Sequence, residues 1–317
     1  MEGLAHTQLA FSLFEICGIW ALAGVVFWVA SRMNSLAVSL LLILPMTCLQ
    51  QAFLTLLHDS WHGLFSKNKK LNDFIGRYAI SFPCIKLWHR LKAEHLAHHV
   101  HLGDRQEDPT YVFYAFVPGE DRYRPLRFAF DRLGGRVIQA AGMAILGRFT
   151  DRQKPPQRVA AEAPSSHSAS GLTATVRREL LIILVSQVVV FALITRVAPW
   201  WTYFVLWAFP LVSTTALCNL IRTFCEHSNP MTDDIDPRER FISFKSNWLE
   251  LAFIAPLHFN YHAEHHLYMW VPHYKLPELR RRMMEASGDL SFPIRSSYAR
   301  VLSVHIFGSN EIQYRKG

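Results

Sequence analysis

The sequence predicts an all-α, polytopic membrane protein with four transmembrane helices in two hairpins and a helical cap that carries three histidine boxes. Half of the 317 residues are hydrophobic, 18% are charged and the mean hydropathy is +0.11. This composition is too apolar for an ordinary soluble protein of this length. Histidines also recur in groups with helical spacing. We expect residues 1–317 to form a single domain.

Four apolar stretches account for the predicted spans, at residues 11–30, 36–57, 179–195 and 200–220. Each is close to the roughly 20 residues that a helix needs to cross the hydrocarbon core. Short turns, at residues 31–35 and 196–199, join them in pairs. Trp200 and Trp201, at the start of the fourth stretch, suit a membrane interface. The sequence therefore predicts two hairpins.

An even number of spans places both termini, residues 58–178 and residues 221–317 on one side of the membrane. Basic residues near the span ends collect on that side: Lys67, Lys69, Lys70, Arg77, Lys86, Arg90, Lys92, Arg177 and Arg178. Because Lys and Arg concentrate in cytoplasmic loops, we expect the cap and both termini in the cytoplasm. The net charge of +8 then fits contact with anionic head groups and does not indicate nucleic-acid binding.

Two further segments have their own expected roles. Residues 74–88 are apolar but short and interrupted by Pro83, which favours a segment at the membrane interface. Residues 152–175 are rich in Pro, Ser and Ala without periodicity, which predicts a mobile loop. The five cysteines form no CxxC pair, and we expect reduced structural thiols.

Three histidine clusters lie on the predicted cytoplasmic side, one after the second span, one in the segment that follows and one after the fourth span. Spacings of three and four place the members of each cluster on one helical face. Neutral imidazole binds zinc, copper, iron and nickel, and eight imidazoles exceed the four ligands of one structural zinc site. The sequence therefore predicts two metals. The eight are His58, His62, His95, His98, His99, His262, His265 and His266.

The clusters read HDSWH at 58–62, HLAHH at 95–99 and HAEHH at 262–266. They resemble the HxxxH, HxxHH and HxxHH boxes of membrane fatty acid desaturases. The resemblance extends to RTFCEH at 222–227, to Asn260 with Tyr261, and to the tail at 271–279, and it runs from about Leu36 to Arg282. Met269 with Trp270 and the long insertion at 119–178 are less typical of the family; both bear on substrate shape.

The resemblance implies a diiron centre in which His227 is a ninth imidazole ligand. The implied metal ligands are His58, His62, His95, His98, His99, His227, His262, His265 and His266. The family reaction uses two Fe ions as cofactor and O2 as co-substrate, and removes hydrogen from two neighbouring methylenes to give an alkene and water. Such an enzyme is an oxidoreductase of lipid metabolism.

Polar residues near the boxes are candidates to orient the ligands, because a metal-bound imidazole usually donates its other nitrogen to a carboxylate or carbonyl. Each could equally be a surface or helix-end charge. These candidates are Asp59, Glu94, Asp108, Glu226, Asn260 and Glu264. His89, His101 and His258 lie near the boxes but outside the family pattern, while His6, His167, His273 and His305 have no partner cluster.

The expected substrate is a lipid or fatty acyl chain that reaches the metals through a narrow apolar tunnel. We expect Tyr261 and Trp270 in its walls, and residues 74–88 either beside them or as an interfacial anchor. The sequence has no dinucleotide fingerprint, flavin motif, iron–sulfur spacing or haem domain. Electrons are therefore expected from an external ferredoxin or a cytochrome-type donor with its reductase.

Three alternative functions make different demands on the sequence. A hydroxylase or ketolase of a lipid or carotenoid stays open, because one hydrogen abstraction followed by oxygen transfer to carbon could use the same boxes. A membrane zinc hydrolase or zinc-containing receptor would need only a few ligands and leaves half of the histidines unexplained. A soluble ferritin-like desaturase is disfavoured, because it would carry Glu-x-x-His pairs and this sequence has none.

Overall fold

A computed structural model describes residues 3–4, 7–114, 123–131, 133, 166–227, 240–288, 290 and 292–307. Helices dominate this described part, and its strands form a single short pair. Four helices are long and apolar enough to cross a membrane, at 9–33, 36–61, 174–197 and 203–226. The predicted all-α membrane fold class is therefore confirmed.

The first two spans are α1 (Leu9–Met33) and α2 (Leu36–Trp61), and they pack against each other. Asn34 adopts a left-handed conformation with φ 40° and donates its backbone N–H to the Ala30 carbonyl. The Ser35 side chain accepts the N–H of Val38 and caps α2. Two residues therefore suffice to end one helix and start the next.

The segment after α2 contains α3 (Lys69–Ile75), a π turn (Gly76–Ser81), α4 (Trp88–His101), α5 (Tyr111–Tyr114) and α6 (Arg124–Phe130). The stretch at 74–88 forms no span. Its two faces differ: Ile75, Ile80 and Phe82 are buried in the main core, whereas Phe74 and Tyr78 are exposed. This amphipathic division is what a segment at a membrane interface requires.

The third span belongs to α7 (Ser166–Val197), and the apolar part that qualifies as a span starts at Ala174. The prediction of a loop at 152–175 is therefore wrong for residues 166–175, which are helical. Adding residues to an existing helix costs little free energy. The polar residues 166–175 therefore continue α7 toward its N-terminus, although their composition resembles that of a loop. Residues 152–165 lie outside the described residues.

The fourth span is interrupted rather than continuous. It consists of a π turn (Tyr203–Ala208), α8 (Phe209–Val212) and α9 (Thr214–Glu226), with a break at Ser213. Pro210 has no N–H to continue the ladder. Side chains of α2 bond carbonyls of this span: Gln50 Nε2 donates to the Trp207 carbonyl at 3.0 Å and Gln51 Nε2 to the Thr215 carbonyl at 2.9 Å. Such bonds are needed where no water is present.

The remaining elements are β1 (Ser243–Phe244), α10 (Trp248–Phe253), α11 (His262–Leu267), a 3₁₀ turn (His273–Lys275), α12 (Leu276–Ser287), β2 (Ile294–Arg295) and α13 (Tyr298–Phe307). The strands are parallel, with Ser243 opposite Ile294. Phe244 stacks on Tyr298 with ring centroids 3.8 Å apart. This small core fixes α11 beside the end of α9, since Phe224 and Phe259 belong to the same cluster.

Candidate metal centre

The nine histidines that the family resemblance implies as ligands converge in two adjoining groups. They come from the end of α2, the length of α4, the residue that ends α9, and α11. Helices α2 and α9 end at the site and α11 is short, so their imidazoles come close to those of α4. The first group is His58, His62, His95, His99 and His265, and the second is His98, His227, His262 and His266.

In the first group, one ring nitrogen of each of the five histidines lies within 4.8 Å of the others. The Nε2 atoms of His62 and His95 are 2.8 Å apart, those of His95 and His99 are 3.0 Å apart, and those of His99 and His265 are 3.2 Å apart. His58 contacts the rings of His95 and His265 edge to face. The group could hold one metal ion.

In the second group, His227 lies between the second and third boxes. Its Nε2 is 3.2 Å from Nε2 of His98 and 3.0 Å from Nε2 of His262. His266 completes the group, with its ring 5.1 Å from that of His227 and 4.4 Å from that of His262 between centroids. This group could hold a second metal ion.

Two observations test whether these residues fit metal ions. Imidazole nitrogens bound to one metal at about 2.0–2.1 Å lie about 2.9–3.3 Å apart in octahedral or tetrahedral geometry, and the observed separations of 2.8–3.2 Å agree. Both ring nitrogens of His58 and Nε2 of His266 are buried without a hydrogen-bond partner in the described structure. Burying such a nitrogen is costly, and a metal would satisfy it.

The protonation state of the histidines also suits ligation. Burial lowers the pKa of His62 to about 4 and, with neighbouring imidazoles, that of His99 to about 2. The same two causes hold the pKa of His265 and His266 well below the usual range. These rings are therefore neutral at pH 7, and metal ligation requires neutral imidazole.

Asp108 orients His98. Nδ1 of His98 lies 3.1 Å from both Asp108 oxygens and 2.7 Å from Thr110 Oγ1. Asp108 also accepts hydrogen bonds from the hydroxyls of Thr110 and Tyr114 and from the N–H of Gly103. Burial alone would raise the pKa of Asp108, but the interactions with His98 and its other donors hold it at about 2. An ionised carboxylate only accepts, so Nδ1 of His98 carries the proton and Nε2 is free.

His262 and His227 have comparable supports. Oε2 of Glu226 lies 3.3 Å from Nδ1 of His262, and Oε1 accepts the Tyr298 hydroxyl at 2.9 Å. His227 donates Nδ1–H to the Arg240 carbonyl at 3.2 Å. Each support leaves the other ring nitrogen facing the second group.

Two of the predicted orienting carboxylates bind other partners. Glu94 pairs with Arg90 one turn earlier at 2.8 Å. Glu264 is buried between Arg280 and the Ser243 hydroxyl, which donates at 2.5 Å. Neither bonds a box histidine in the described structure. Glu264 instead ties α11 to β1 and α12.

Asp59 has a partner that the sequence did not indicate. Its Oδ1 lies 3.7 Å from Nδ1 of His58, but its Oδ2 accepts Nδ1–H of His273 at 2.8 Å and the His273 backbone N–H at 3.1 Å. Nε2 of His273 is 3.0 Å from Glu15 in α1. His273 joins neither histidine group, and carboxylates distant in sequence enclose it instead.

A cavity of about 320 Å³ adjoins both histidine groups. Its apolar walls include Leu54, Leu57, Trp61, Phe113, Leu220 and Phe259, and charged residues Lys86, Glu94 and Arg222 also border it. This size is at the lower end of the range for small-molecule sites. Among residues 74–88, Lys86 lines the cavity.

This cavity is not lined by the residues that the sequence predicts for a tunnel wall. Tyr261 packs beneath the Arg280 guanidinium, 4.0 Å from the ring centroid, and Trp270 is 52% exposed. Neither lines the cavity. Asn260 donates Nδ2–H to the Phe244 carbonyl at 2.8 Å and so fixes the loop before α11. Aromatic character near a box does not reveal on which side of the chain a ring lies.

Sequence reasoning missed Thr110, Tyr114 and Tyr298, which all bond the carboxylates that support box histidines. Thr110 and Tyr114 follow Asp108 closely, so the cluster of polar residues in DPTYVFY at 108–114 was an available signal. Tyr298 is far from every box in sequence, and no local pattern indicates its contact with Glu226.

The His6 side chain and the His167 side chain lie outside the described residues. His89 bonds Glu179 and Arg77, and His305 packs on Phe224, so neither joins the two groups. His101 ends α4 beyond the second box and is likewise in neither group.

Comparison with known proteins identifies the family. The profile of the fatty acid desaturase family matches residues 33–298. Dihydrorhizobitoxine desaturase of Bradyrhizobium elkanii is 23% identical over 256 residues, which cover 78% of this chain and 68% of that protein. An sn-1 acyl-lipid omega-3 desaturase (ferredoxin) of Synechocystis sp. is 25% identical over 244 residues, 72% of this chain and 61% of that protein.

A shorter match concerns a different reaction. Zeaxanthin 4-ketolase of Chlamydomonas reinhardtii is 38% identical over 55 residues, 17% of this chain and 12% of that protein. The family profile covers most of the chain, including all three boxes and His227. With four membrane-length helices and two histidine groups that could bind metal, this chain is an integral membrane oxidoreductase that belongs to the fatty acid desaturase family.

Proposed function

We propose that this protein is an O2-dependent diiron enzyme that desaturates a fatty acyl chain of a lipid or thioester. Two adjoining groups of imidazoles carry the proposal, because five and four ligands suit two metal ions. His58, His62, His95, His99 and His265 would hold one iron, and His98, His227, His262 and His266 the other. When bound, the iron pair supplies the oxidation of an unactivated C–H bond by dioxygen.

The protein's own residues would keep the ligands in position and shape the substrate path. Asp108 would hold Nδ1 of His98 away from its metal position, and Glu226, 3.3 Å from Nδ1 of His262, would help to place that ring. Leu54, Trp61 and Phe259 give the cavity an apolar wall beside the histidines. An apolar wall excludes water and holds a flexible chain with one methylene near the metals, which is the positioning that such a reaction needs.

We also propose that electrons come from an external ferredoxin or cytochrome-type donor and that the active site faces the cytoplasm. The Synechocystis relative is an sn-1 acyl-lipid omega-3 desaturase (ferredoxin), which supports a donor of this kind. The basic residues near the span ends on the side of the boxes support the orientation. Accessibility of single cysteines introduced after His101 and before Ser35 to an impermeant thiol reagent tests the orientation.

Metal content tests the site. Protein expressed with iron supplementation should contain about two metals per chain by elemental analysis. His98→Ala and His265→Ala remove one ligand from each group and should lower the metal content, while His101→Ala, on the same helix as His98, should not. One metal per wild-type chain would overturn the diiron proposal.

Product analysis tests the reaction. Lipids from cells that express the wild-type chain should contain an added double bond that is absent with His98→Ala or His227→Ala. Both variants should still insert in the membrane, because the spans do not depend on the metals. Near-normal turnover by His227→Ala would show that His227 is not a ligand.

A second candidate is a hydroxylase or ketolase of a lipid or carotenoid on the same scaffold. The match to zeaxanthin 4-ketolase supports it, as do the polar side chains of Asn219, Arg222 and Thr223 along the cavity. The same mass spectrometry separates the two candidates, because desaturation removes two hydrogens whereas hydroxylation and ketolation add oxygen. Oxygenated products without alkenes would favour this second candidate.

A further inference from the structure

A second cavity, of about 220 Å³, opens where α7 meets the segment between α3 and α4. It shares no lining residue with the cavity beside the metal histidines. Polar residues dominate its wall: Arg77, Tyr78, His89, Thr175, Arg178 and Glu179. Phe82 and Ile182 provide an apolar part of the wall.

The cavity lies at the first two turns of the candidate span at 174–197, where we expect lipid head groups. Residues 177–179 are charged and directly precede the apolar run of α7 that begins at Leu180. At about 1.5 Å per residue, that run fills a hydrocarbon core of about 30 Å. Phe74, Tyr78 and Leu180 expose large apolar side chains next to the cavity, as expected of surfaces that face lipid.

Hydrogen bonds from His89 satisfy Glu179, the one carboxylate in the wall. Arg77 Nη2 lies 3.2 Å from His89 Nε2. A guanidinium only donates, so Nε2 accepts and Nδ1–H of His89 donates to Glu179 Oε1 at 2.8 Å. The His89 backbone N–H also faces Glu179, at 3.3 and 3.4 Å. The charge of Glu179 is therefore directed to His89 and the start of α4.

The two arginines of the wall, Arg77 and Arg178, are less well paired with carboxylates. Asp73 is 3.8 Å from Arg77 Nη2 but shares its carboxylate with Lys92, which is closer at 3.1 Å. Nε of Arg77 is buried without a hydrogen-bond partner in the described structure. Arg178 is exposed, and in the described part of the chain no carboxylate lies within ion-pair distance of it. Because His89 engages the carboxylate of Glu179, the cavity offers the donors of Arg77 and Arg178 to a further anion.

We propose that this cavity binds the phosphate of an anionic phospholipid. Arginine pairs of this kind suit phosphate oxygens, and the hydroxyls of Tyr78 and Thr175 supply further donors. A volume of 220 Å³ equals about seven water molecules at about 30 Å³ each, which accommodates a phosphate with its ester arms. Phe82 and Ile182 would contact the first carbons beyond the phosphate. This inference does not depend on the proposed reaction.

Native mass spectrometry of the full chain in detergent tests the site, with dihexanoyl phosphatidylglycerol as the probe. We expect one lipid per chain. Arg178→Gln should weaken binding about tenfold, as expected for loss of one charge-assisted hydrogen bond. Arg177→Gln is the matched control, because Arg177 is the adjacent exposed arginine and does not line the cavity; its affinity should equal that of the wild type.

Three comparisons make the result decisive. Loss of binding in Arg77→Gln with recovery in Arg77→Lys, at unchanged thermal unfolding, supports a role of the positive charge. Equal affinities for wild type, Arg178→Gln and Arg177→Gln would overturn the proposal, since the lipid would then bind nonspecifically. Binding of inorganic phosphate without binding of the lipid probe would also overturn it, because the ligand would be a soluble anion.

Discussion

At the residue scale, Asp108 determines which nitrogen of His98 faces the second histidine group. Asp108→Asn keeps the shape of the side chain but replaces an acceptor by an amide that can donate. We expect metal affinity to fall about 10- to 100-fold, the range found when such supports are removed. Competition with a chelator measures this affinity.

The exposed neighbour Glu107 provides the control for Asp108. Glu107→Gln removes a carboxylate of the same loop that bonds no histidine in the described structure, and it should leave metal affinity unchanged. If Asp108→Asn retained wild-type metal affinity, Thr110 alone would orient His98 sufficiently.

Ala216 lines the cavity beside the histidines, so its replacement tests whether that cavity holds the substrate. Ala216→Leu adds three carbons to the wall and should reduce turnover or shift products to shorter chains, while the metal content stays at the wild-type value. Product analysis and elemental analysis measure the two effects. Ala192→Leu, on the exposed face of α7, is the control. Unchanged products from Ala216→Leu would place the substrate elsewhere.

The eight box histidines could be grouped from sequence because spacings of three and four report a shared helical face, whereas His227 was implied only by the resemblance to the family. The supporting carboxylates were harder to assign. Glu264 lies two residues after His262, about 200° around the helix at 100° per residue, so it points away from the imidazoles. Asp59 does lie next to His58 in sequence, but its partner His273 is distant in the chain. Sequence proximity to a box therefore does not identify a supporting contact.

At the element scale, Gly76 allows the interfacial segment to pack on α4 and α2. A Cβ at this position would lie 2.5 Å from the Trp88 ring and 2.6 Å from Ser60 Oγ, and Trp88 is completely buried. Gly76→Ala should therefore destabilise the protein by about 1–3 kcal/mol, the usual cost of overpacking. Thermal unfolding of the purified chain measures the loss.

Gly24 is the matched control for Gly76. It lies in α1, and a Cβ there would meet nothing within 4 Å. Gly24→Ala should leave stability unchanged or slightly raised, since alanine favours helix by about 1 kcal/mol. If Gly76→Ala and Gly24→Ala changed stability equally, the segment that contains Gly76 would have to shift to accept a methyl group.

Hydropathy and length were enough to locate the four spans, because a helix that crosses a membrane must be both apolar and about 20 residues long. Irregular backbone was not foreseen. No local pattern predicts the π turn before Pro210, where the Trp207 carbonyl accepts Nε2–H of Gln50 from α2. The helical start of α7 was also missed, because a composition rich in Ser and Ala fits both a loop and an extension of an existing helix.

At the scale of the whole molecule, one histidine joins the first span, the first box and the tail after the third box. His273 lies between Asp59 of α2 and Glu15 of α1, at 2.8 and 3.0 Å. A carboxylate within an apolar span is costly unless paired, which explains why Glu15 is placed against a cation. This contact links α1 and the tail after the third box to Asp59, the residue that follows His58.

The charge of His273 makes stability depend on pH. Burial alone would lower its pKa, but Asp59 and Glu15 outweigh burial and raise it to about 9. A raised pKa in the folded state means that the stabilisation is complete below the unfolded value of about 6.5 and is lost as pH rises through about 9. His258 also neighbours His273, but its pKa is lowered by burial, so it is already neutral in this window.

Thermal unfolding of the full chain between pH 6 and pH 10 tests this link. The free energy of unfolding of the wild type should fall by up to about 3 kcal/mol between pH 6 and pH 10, as the raised pKa of His273 implies. His273→Gln cannot be charged, so its unfolding midpoint should be lower at pH 6 and should change little up to pH 9. His101→Gln, at the C-terminal end of α4, should follow the wild type. If the unfolding midpoints of the wild type and His273→Gln changed in parallel with pH, His273 would be neutral in the folded protein. Hydrogen bonds from a neutral imidazole would then hold Glu15 and Asp59.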